Sequence, residues 1–161
     1  MTPAEARLAY SAENCSVTRA LKIVGEKWSL LILREAFFGL RRFDEFQQAL
    51  GCARNLLSAR LTSLVEHGVL ERTEYREEGQ RPRPEYQLTE MGKDLLPTII
   101  ALLNWGDRWI NDAVRAPLLV RHKDCGARVQ TQVVCVRGHA SLKLQDVVST
   151  PGPGAIRAKS E

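Results

Sequence analysis

The stretch Ala53–Arg72, ARNLLSARLTSLVEHGVLER, decides the fold. Wound as a helix, it brings Leu57, Leu61, Leu64 and Val65 into one arc and sets Asn55, Ser58, Ala59 and Thr62 on or near the opposite side. The first arc is core. The second carries short hydrogen-bonding side chains where a solvated helix usually carries long Glu and Lys, so it is shaped to approach a partner closely.

The flanking residues give this helix its setting. RRFDEFQQALG, residues 41–51, is a shorter helix with Phe43, Phe46 and Leu50 on one side and Gly51 as its stop, so the two helices and their tight turn make a helix-turn-helix. Upstream, VTRALKIVGEKWSLLILREAFF, residues 17–38, repeats apolar positions at helical spacing, with Gly25 as a break or bend and Gly39 as its end. Downstream the period changes to two. VLERTEYRE and EYQLT alternate apolar and polar residues around the turn chemistry of EGQRPRP, which reads as a β-hairpin with a basic tip at Arg81 and Arg83. A hairpin beside a helix-turn-helix is a winged helix.

From Thr89 to Val114 a long helix is expected, with Pro97 early enough that its missing N–H costs little or produces a modest bend. Its apolar arc, which includes Trp105, Trp109 and Ile110, is too wide for one neighbour, and dimerisation would cover the excess. Beyond Pro117, β-branched alternation suggests two or three short strands, and STPGPGAIRAKSE, residues 149–161, has the composition of a disordered tail. The expected class is therefore mainly α with small β (α+β): a winged helix-turn-helix with a two-stranded wing, dimerisation helices and a small C-terminal β appendage. The expected divisions are a flexible arm at 1–14, the DNA-binding and dimerisation domain at 15–116, the appendage at 117–148 and the tail at 149–161.

Composition sets the outer bounds. With 161 residues and a hydrophobic fraction of 44%, the chain can bury a core, which excludes wholesale disorder. No apolar run reaches the ~18 to 20 residues of a membrane span, and the N-terminus lacks the basic start and apolar block of a secretory signal, so no membrane partner and a cytoplasmic location are expected. There the four cysteines, Cys15, Cys52, Cys125 and Cys135, suit thiols, redox sensors or metal ligands better than structural disulfides. The formal net charge of +4 permits a polyanionic partner, and Arg41, Arg42, Arg54, Arg60, Arg72, Arg76, Arg81 and Arg83 all lie in one stretch between residues 41 and 83.

Several short motifs, in order, carry a resemblance: Gly25-x-x-Trp28, Arg42-Phe43, Leu57-Ser58-x-Arg60-Leu61 and Tyr86-x-Leu88-Thr89-x-x-Gly92. Over about Cys15 to Trp109 the chain resembles the HxlR-type winged helix-turn-helix transcription regulators, relatives of the MarR group. The resemblance implies a homodimer that binds a double-stranded DNA operator with inverted-repeat symmetry, as a repressor, through one winged helix per subunit. Two departures stand out. Ala53 occupies the place where the family usually caps the recognition helix with Ser or Thr, forgoing about 1 kcal/mol, and Cys52 replaces an Ile, as a small core residue that leaves a thiol near the DNA-facing helix.

On this footing Asn55, Ser58 and Thr62 would meet base edges or phosphates in the major groove, Arg54 a guanine or the backbone, and Arg60 would act as a buttress that also touches phosphate. Arg41 and Arg42 join the DNA-binding set, and Arg81 and Arg83 would follow the minor groove, or else remain solvated loop charges. Cys15 precedes a helix start, with Arg19 and Lys22 following, a setting that favours thiolate. Many HxlR-type regulators have a cysteine here, and in some it senses oxidants or electrophiles; the alternative is a packing residue of the dimer interface. A small apolar effector near Trp28, Trp105 and Trp109 is the other way to regulate such a protein. No cofactor is required. His122-x-x-Cys125 and Cys135-x-x-x-His139 have spacing tolerable for zinc, or are incidental residues of a hairpin, and the Cys-x-x-Cys-Gly knuckle of similar extensions is incomplete because Arg137-Gly138-His139 follows Cys135. Two other classes compete: a winged helix used only for protein contacts, and a cysteine-dependent enzyme, against which stands the lack of any compact triad or Gly-rich phosphate loop.

Overall fold

A computed structural model describes residues 7–76, 79, 81–111 and 116–158. They fall into two compact units, one of Ile23–Thr131 and one of the described parts of Met1–Lys22 and Gln132–Glu161.

In the first unit α2 (Lys27–Phe37), α3 (Phe43–Leu50) and α4 (Arg54–Glu66) precede a two-stranded antiparallel sheet of β1 (Leu70–Tyr75) and β2 (Arg83–Leu88), then α5 (Glu90–Lys93) and α6 (Leu96–Trp109). The preceding helix, α1 (Ser16–Val24), is separated from α2 at Gly25, where the sequence places a break. Leu57, Leu61 and Leu64 of α4 are fully buried with Ile32 and Leu33 of α2 and Phe46 of α3, and Val69, Leu70, Tyr86 and Ile99 complete the same core. Opposite them Asn55, Ser58, Ala59 and Thr62 are all exposed. Cys52 is buried in this core, as its expected role as a small apolar residue requires.

The turn between α3 and α4 works because Gly51 adopts φ 61°, a left-handed conformation that glycine reaches without strain, and its N–H still donates to Gln47 O at 2.9 Å. The wing follows in register, Leu70 opposite Leu88 and Tyr75 opposite Arg83. On the other edge of β2, Arg42 bridges Glu85 and Tyr86 N donates to Arg41 O at 2.8 Å, tying the start of α3 to the wing. Thr89 ends the wing and starts the next helix: its hydroxyl donates to Gly68 O at 2.6 Å and accepts from Gly92 N at 3.1 Å. Gly92 is closely approached by the chain, because a Cβ there would lie 2.2 Å from Val69 O and force a shift.

The single helix expected from Thr89 is two. α5 ends at Lys93 and α6 starts at Leu96, with Pro97 in its first turn, the place where a missing N–H breaks no helical bond. The expected end at Val114 lies outside the described residues. After Pro117 the expected strands are absent among the described residues. Residues 120–129 form a tight hairpin turn with one bridge, Arg121 to Arg128, fixed to α6 by Arg128 Nη2 to Asp107 Oδ2 at 2.6 Å and by Thr131 N to Asn104 Oδ1 at 3.0 Å. Asp107 is buried, so this charge is satisfied where it would otherwise be costly.

In the second unit no described residue is buried. Leu142 N donates to Val133 O at 3.1 Å across a turn, and Leu144–Asp146 is a single 3-10 turn. The β-branched alternation fails to make strands here because Val133, Val134 and Val136 have no core to cover. The arm and the tail, expected as separate flexible ends, run beside each other: Ser11 N donates to Ile156 O at 2.8 Å, Ala158 N to Ala9 O at 3.0 Å, and Tyr10 bridges Arg157. The outermost residues of both, 1–6 and 159–161, lie outside the described residues.

Candidate nucleic-acid interface

The exposed face of α4 opens at Ala53, which supplies no side-chain cap. Asn55 substitutes for it: its Oδ1 accepts from Leu56 N at 2.9 Å, occupying one of the free N–H groups of the first turn. The amide NH2 of Asn55 is left to donate outward. Ser58 and Thr62 continue the same exposed stripe toward the C-terminal half of the helix. Arg60 is half-buried and its Nε is buried with no hydrogen-bond partner, which fits a buttress better than a reader.

Arg54 is more constrained than its exposed position suggests. Its guanidinium lies 4.8 Å from the Phe43 ring centroid, donates to Gln47 Oε1 at 2.6 Å and reaches Asp44 Oδ1 at 3.5 Å. Arg42 stacks 4.1 Å over Tyr75. Arg83, expected at the wing tip, is instead the first residue of β2, and its Nη1 lies 3.9 Å from Asp44 Oδ2. Arg81 alone of the two sits in the exposed loop. Arg42, Phe43, Asp44, Arg54, Tyr75, Arg83 and Pro84 thus line one cleft of about 350 Å³ between the helix-turn-helix and the base of the wing. Arg41 is exposed, and the carboxylate of Glu45 accepts from the backbone N–H of both Arg41 and Arg42, at 3.0 and 2.9 Å; these bonds hold Glu45 below the usual carboxylate range.

Sequence reading missed Asp44, Gln47, Phe43 and Tyr75 as the groups that hold these arginines. The Asp44-Glu45 pair is visible in sequence, but an acidic first turn is ordinary helix-dipole chemistry and does not by itself announce a contact ten residues away.

Cys15 precedes α1, and its carbonyl accepts from Arg19 N at 3.0 Å. Its thiol is held below the ordinary cysteine range by the backbone N–H of Thr18 first and of Val17 next, against some desolvation, with the Thr18 hydroxyl and the charge of Arg7 adding to the effect. The helix-terminus part of the expectation holds; the cation is Arg7 rather than Arg19 or Lys22. The three tryptophans differ in exposure. Trp28 is half-buried against the core with Lys27 over its ring, whereas Trp105 and Trp109 are 57% and 65% exposed. An apolar cleft of about 280 Å³ between α2 and α6 is lined by Leu30, Leu31, Ile99, Leu102 and Leu103 and by none of the tryptophans.

Of the candidate zinc ligands, His122 and Cys125 belong to the first unit and Cys135 and His139 to the second. Among the described residues no three His, Cys, Asp or Glu side chains come together as a metal site. His122 pairs with Asp124 at 3.8 Å, and Cys135 Sγ lies 3.1 Å from His139 Nδ1 inside one tight turn.

A helix with a short polar face, a core on its other side and a wing set beside it is the architecture of a DNA-binding winged helix, and the HxlR-like helix-turn-helix family profile matches residues 23–114. The chain belongs to the HxlR-like helix-turn-helix family. An HTH-type transcriptional regulator of Mycobacterium tuberculosis, itself uncharacterized, is 42% identical over 147 residues, covering 91% of this chain and 92% of that protein. The crystal structure of PA1607, a candidate transcription factor, superposes with a TM-score of 0.75 at 37% identity, over 88% of this chain and 97% of that one. The redox regulator HypR in its oxidized form superposes with a TM-score of 0.53 at 29% identity, over 58% of this chain and 96% of its own. The HxlR-family chain is therefore a transcriptional regulator with a helix-turn-helix DNA-binding fold of the MarR-like type. Among its described residues no helix is long and apolar enough to cross a membrane.

Proposed function

We propose that this HxlR-family regulator acts as a homodimeric repressor on an inverted-repeat operator, with α4 in the major groove and the wing on the adjoining backbone and minor groove. The observation that carries this is the exposed stripe of Asn55, Ser58 and Thr62 on a helix whose other face is fully buried. Arg41, Arg42, Arg54 and Arg83 flank it as phosphate contacts and Arg81 extends the contact into the loop. Dimerisation is supported by α6 and its C-terminal cap, where Leu102, Trp105, Trp109 and Ile110 remain exposed on one protomer. The test is sedimentation together with footprinting. A dimer at micromolar concentration protecting a symmetric site, with half-sites about 34 Å apart, supports the proposal; a monomer with no protected palindrome refutes it.

Cys15 supports a redox effector for the same regulator. Its thiol is shifted toward thiolate by a helix N-terminus, and the related HypR is a redox regulator. Oxidation of two Cys15 thiols to one disulfide gives up two electrons and two protons to an oxidant such as diamide, and would respace the recognition helices. Operator release by diamide that is lost in Cys15→Ser and kept in Cys52→Ser supports the assignment; equal release from Cys15→Ser assigns it elsewhere.

A further inference from the structure

Among the described residues that line the cleft between the helix-turn-helix and the wing, one carboxylate, Asp44, stands among the arginines. Asp44 Oδ1 lies 3.5 Å from Arg54 Nη1 and Asp44 Oδ2 lies 3.9 Å from Arg83 Nη1. One carboxylate thus spans a cation of the recognition helix and a cation of the wing, offering an oxygen to each, as a DNA phosphate with two free oxygens would. Both separations exceed the ~2.7 to 2.9 Å of a tight charge-assisted hydrogen bond. The three side chains are also 67%, 65% and 56% exposed, so the pairs are solvent-screened and easily surrendered.

We infer that Asp44 is an affinity-limiting residue of the DNA interface: an internal stand-in for phosphate that keeps binding to non-operator DNA weak. The inference rests on the DNA-binding reading above and adds a carboxylate that works against it. Non-specific binding is almost entirely phosphate attraction and counterion release. With Asp44 in place, Arg54 and Arg83 are already partly neutralised, and a phosphate brought to them meets the displaced carboxylate. Operator binding also draws on base contacts from Asn55, Ser58 and Thr62, which Asp44 leaves untouched. This electrostatic penalty falls on all DNA alike and leaves the ratio of operator to non-operator affinity unchanged; it sets the absolute affinity, so that complexes held by phosphate attraction alone dissociate at salt concentrations where one with added base contacts persists.

The test needs no known operator. Affinity for a random-sequence duplex of about 30 base pairs is measured by fluorescence anisotropy from 50 to 300 mM KCl, for the unmodified protein, Asp44→Asn, Asp94→Asn as a control for net charge, and Asp44→Asn on an Arg54→Ala/Arg83→Ala background. Circular dichroism confirms that each is folded. Asp44→Asn is expected to bind about three- to tenfold more tightly at 100 mM KCl and to steepen the salt slope by about one. Asp94→Asn, in the exposed C-terminal cap of α5, should gain much less. On the double-alanine background the gain should vanish. Equal gains for the two Asp variants, no gain, or a gain that survives removal of both arginines overturns the inference while leaving DNA binding intact. If the unmodified protein fails to bind the duplex even at 50 mM KCl, the DNA-binding reading fails first and the role of Asp44 with it.

Discussion

The two compact units of this HxlR-family regulator are held together by different means. Ile23–Thr131 is organised around an apolar core in which Ile32, Leu33, Phe46, Leu57, Leu61 and Leu64 are fully buried. The unit of the two chain ends has no buried described residue and relies on backbone pairing between residues 9–11 and 156–158 and on tight turns. Burial of apolar surface drives folding more than any other favourable interaction, whereas an exposed backbone hydrogen bond largely exchanges one partner for water. The first unit should therefore unfold as a block and the second should open locally, at low cost. A rigid scaffold is what a reading helix needs.

The largest effect separating them comes from one kind of truncation made in both. Leu61→Ala removes a fully buried side chain and should cost about 2 to 5 kcal/mol, whereas Val136→Ala, at a fully exposed position, should stay within about 0.5 kcal/mol. Urea unfolding of the two variants measures the difference, and equal losses would erase the distinction. Gly92→Ala is next: the new Cβ would stand 2.2 Å from Val69 O, so the joint between wing and α5 must shift, at about 1 to 3 kcal/mol in the same assay. Amide exchange then reads the contrast without mutation. Amides of α2 and α4 should exchange near the global unfolding limit, and those of Ser11 and Ala158 far faster. The smallest effect concerns Cys15, whose lowered pKa predicts that alkylation by iodoacetamide reaches half its plateau at a lower pH than in an unstructured cysteine peptide. Because the Thr18 hydroxyl contributes, Thr18→Ala should move that midpoint partway back up.

The same contrast explains what could be read in advance. The helices and wing of the first unit follow from hydrophobic period and turn chemistry, since Leu57, Leu61 and Leu64 repeat at helical spacing and Gly51, Gly68 and Pro97 mark the ends. The break between α5 and α6 escaped because Pro97 admits two outcomes, a bend within one helix or a fresh start. The C-terminal strands failed for a different reason: β-branched residues signal a strand only where a core exists to receive one face, and Val133 to Val136 have none. In the interface, the exposed stripe of α4 was legible because it follows from the helix alone. The pairing of Asp44 with Arg54 and Arg83 was not, because it joins α3 to α4 and to the wing, residues brought together only by the tertiary fold.

The central claim is that the stripe of α4 reads sequence while the flanking arginines supply general attraction. It is tested most directly by selecting binding sites from a pool of randomised duplexes with the unmodified protein, Asn55→Ala and Arg81→Ala. An inverted repeat is expected for the unmodified protein. Asn55→Ala should lose about 1 to 3 kcal/mol of discrimination at one base pair per half-site, and Arg81→Ala should weaken binding to all sequences alike and lower the salt slope by about one. No enriched repeat, or the same uniform loss from both variants, would contradict it.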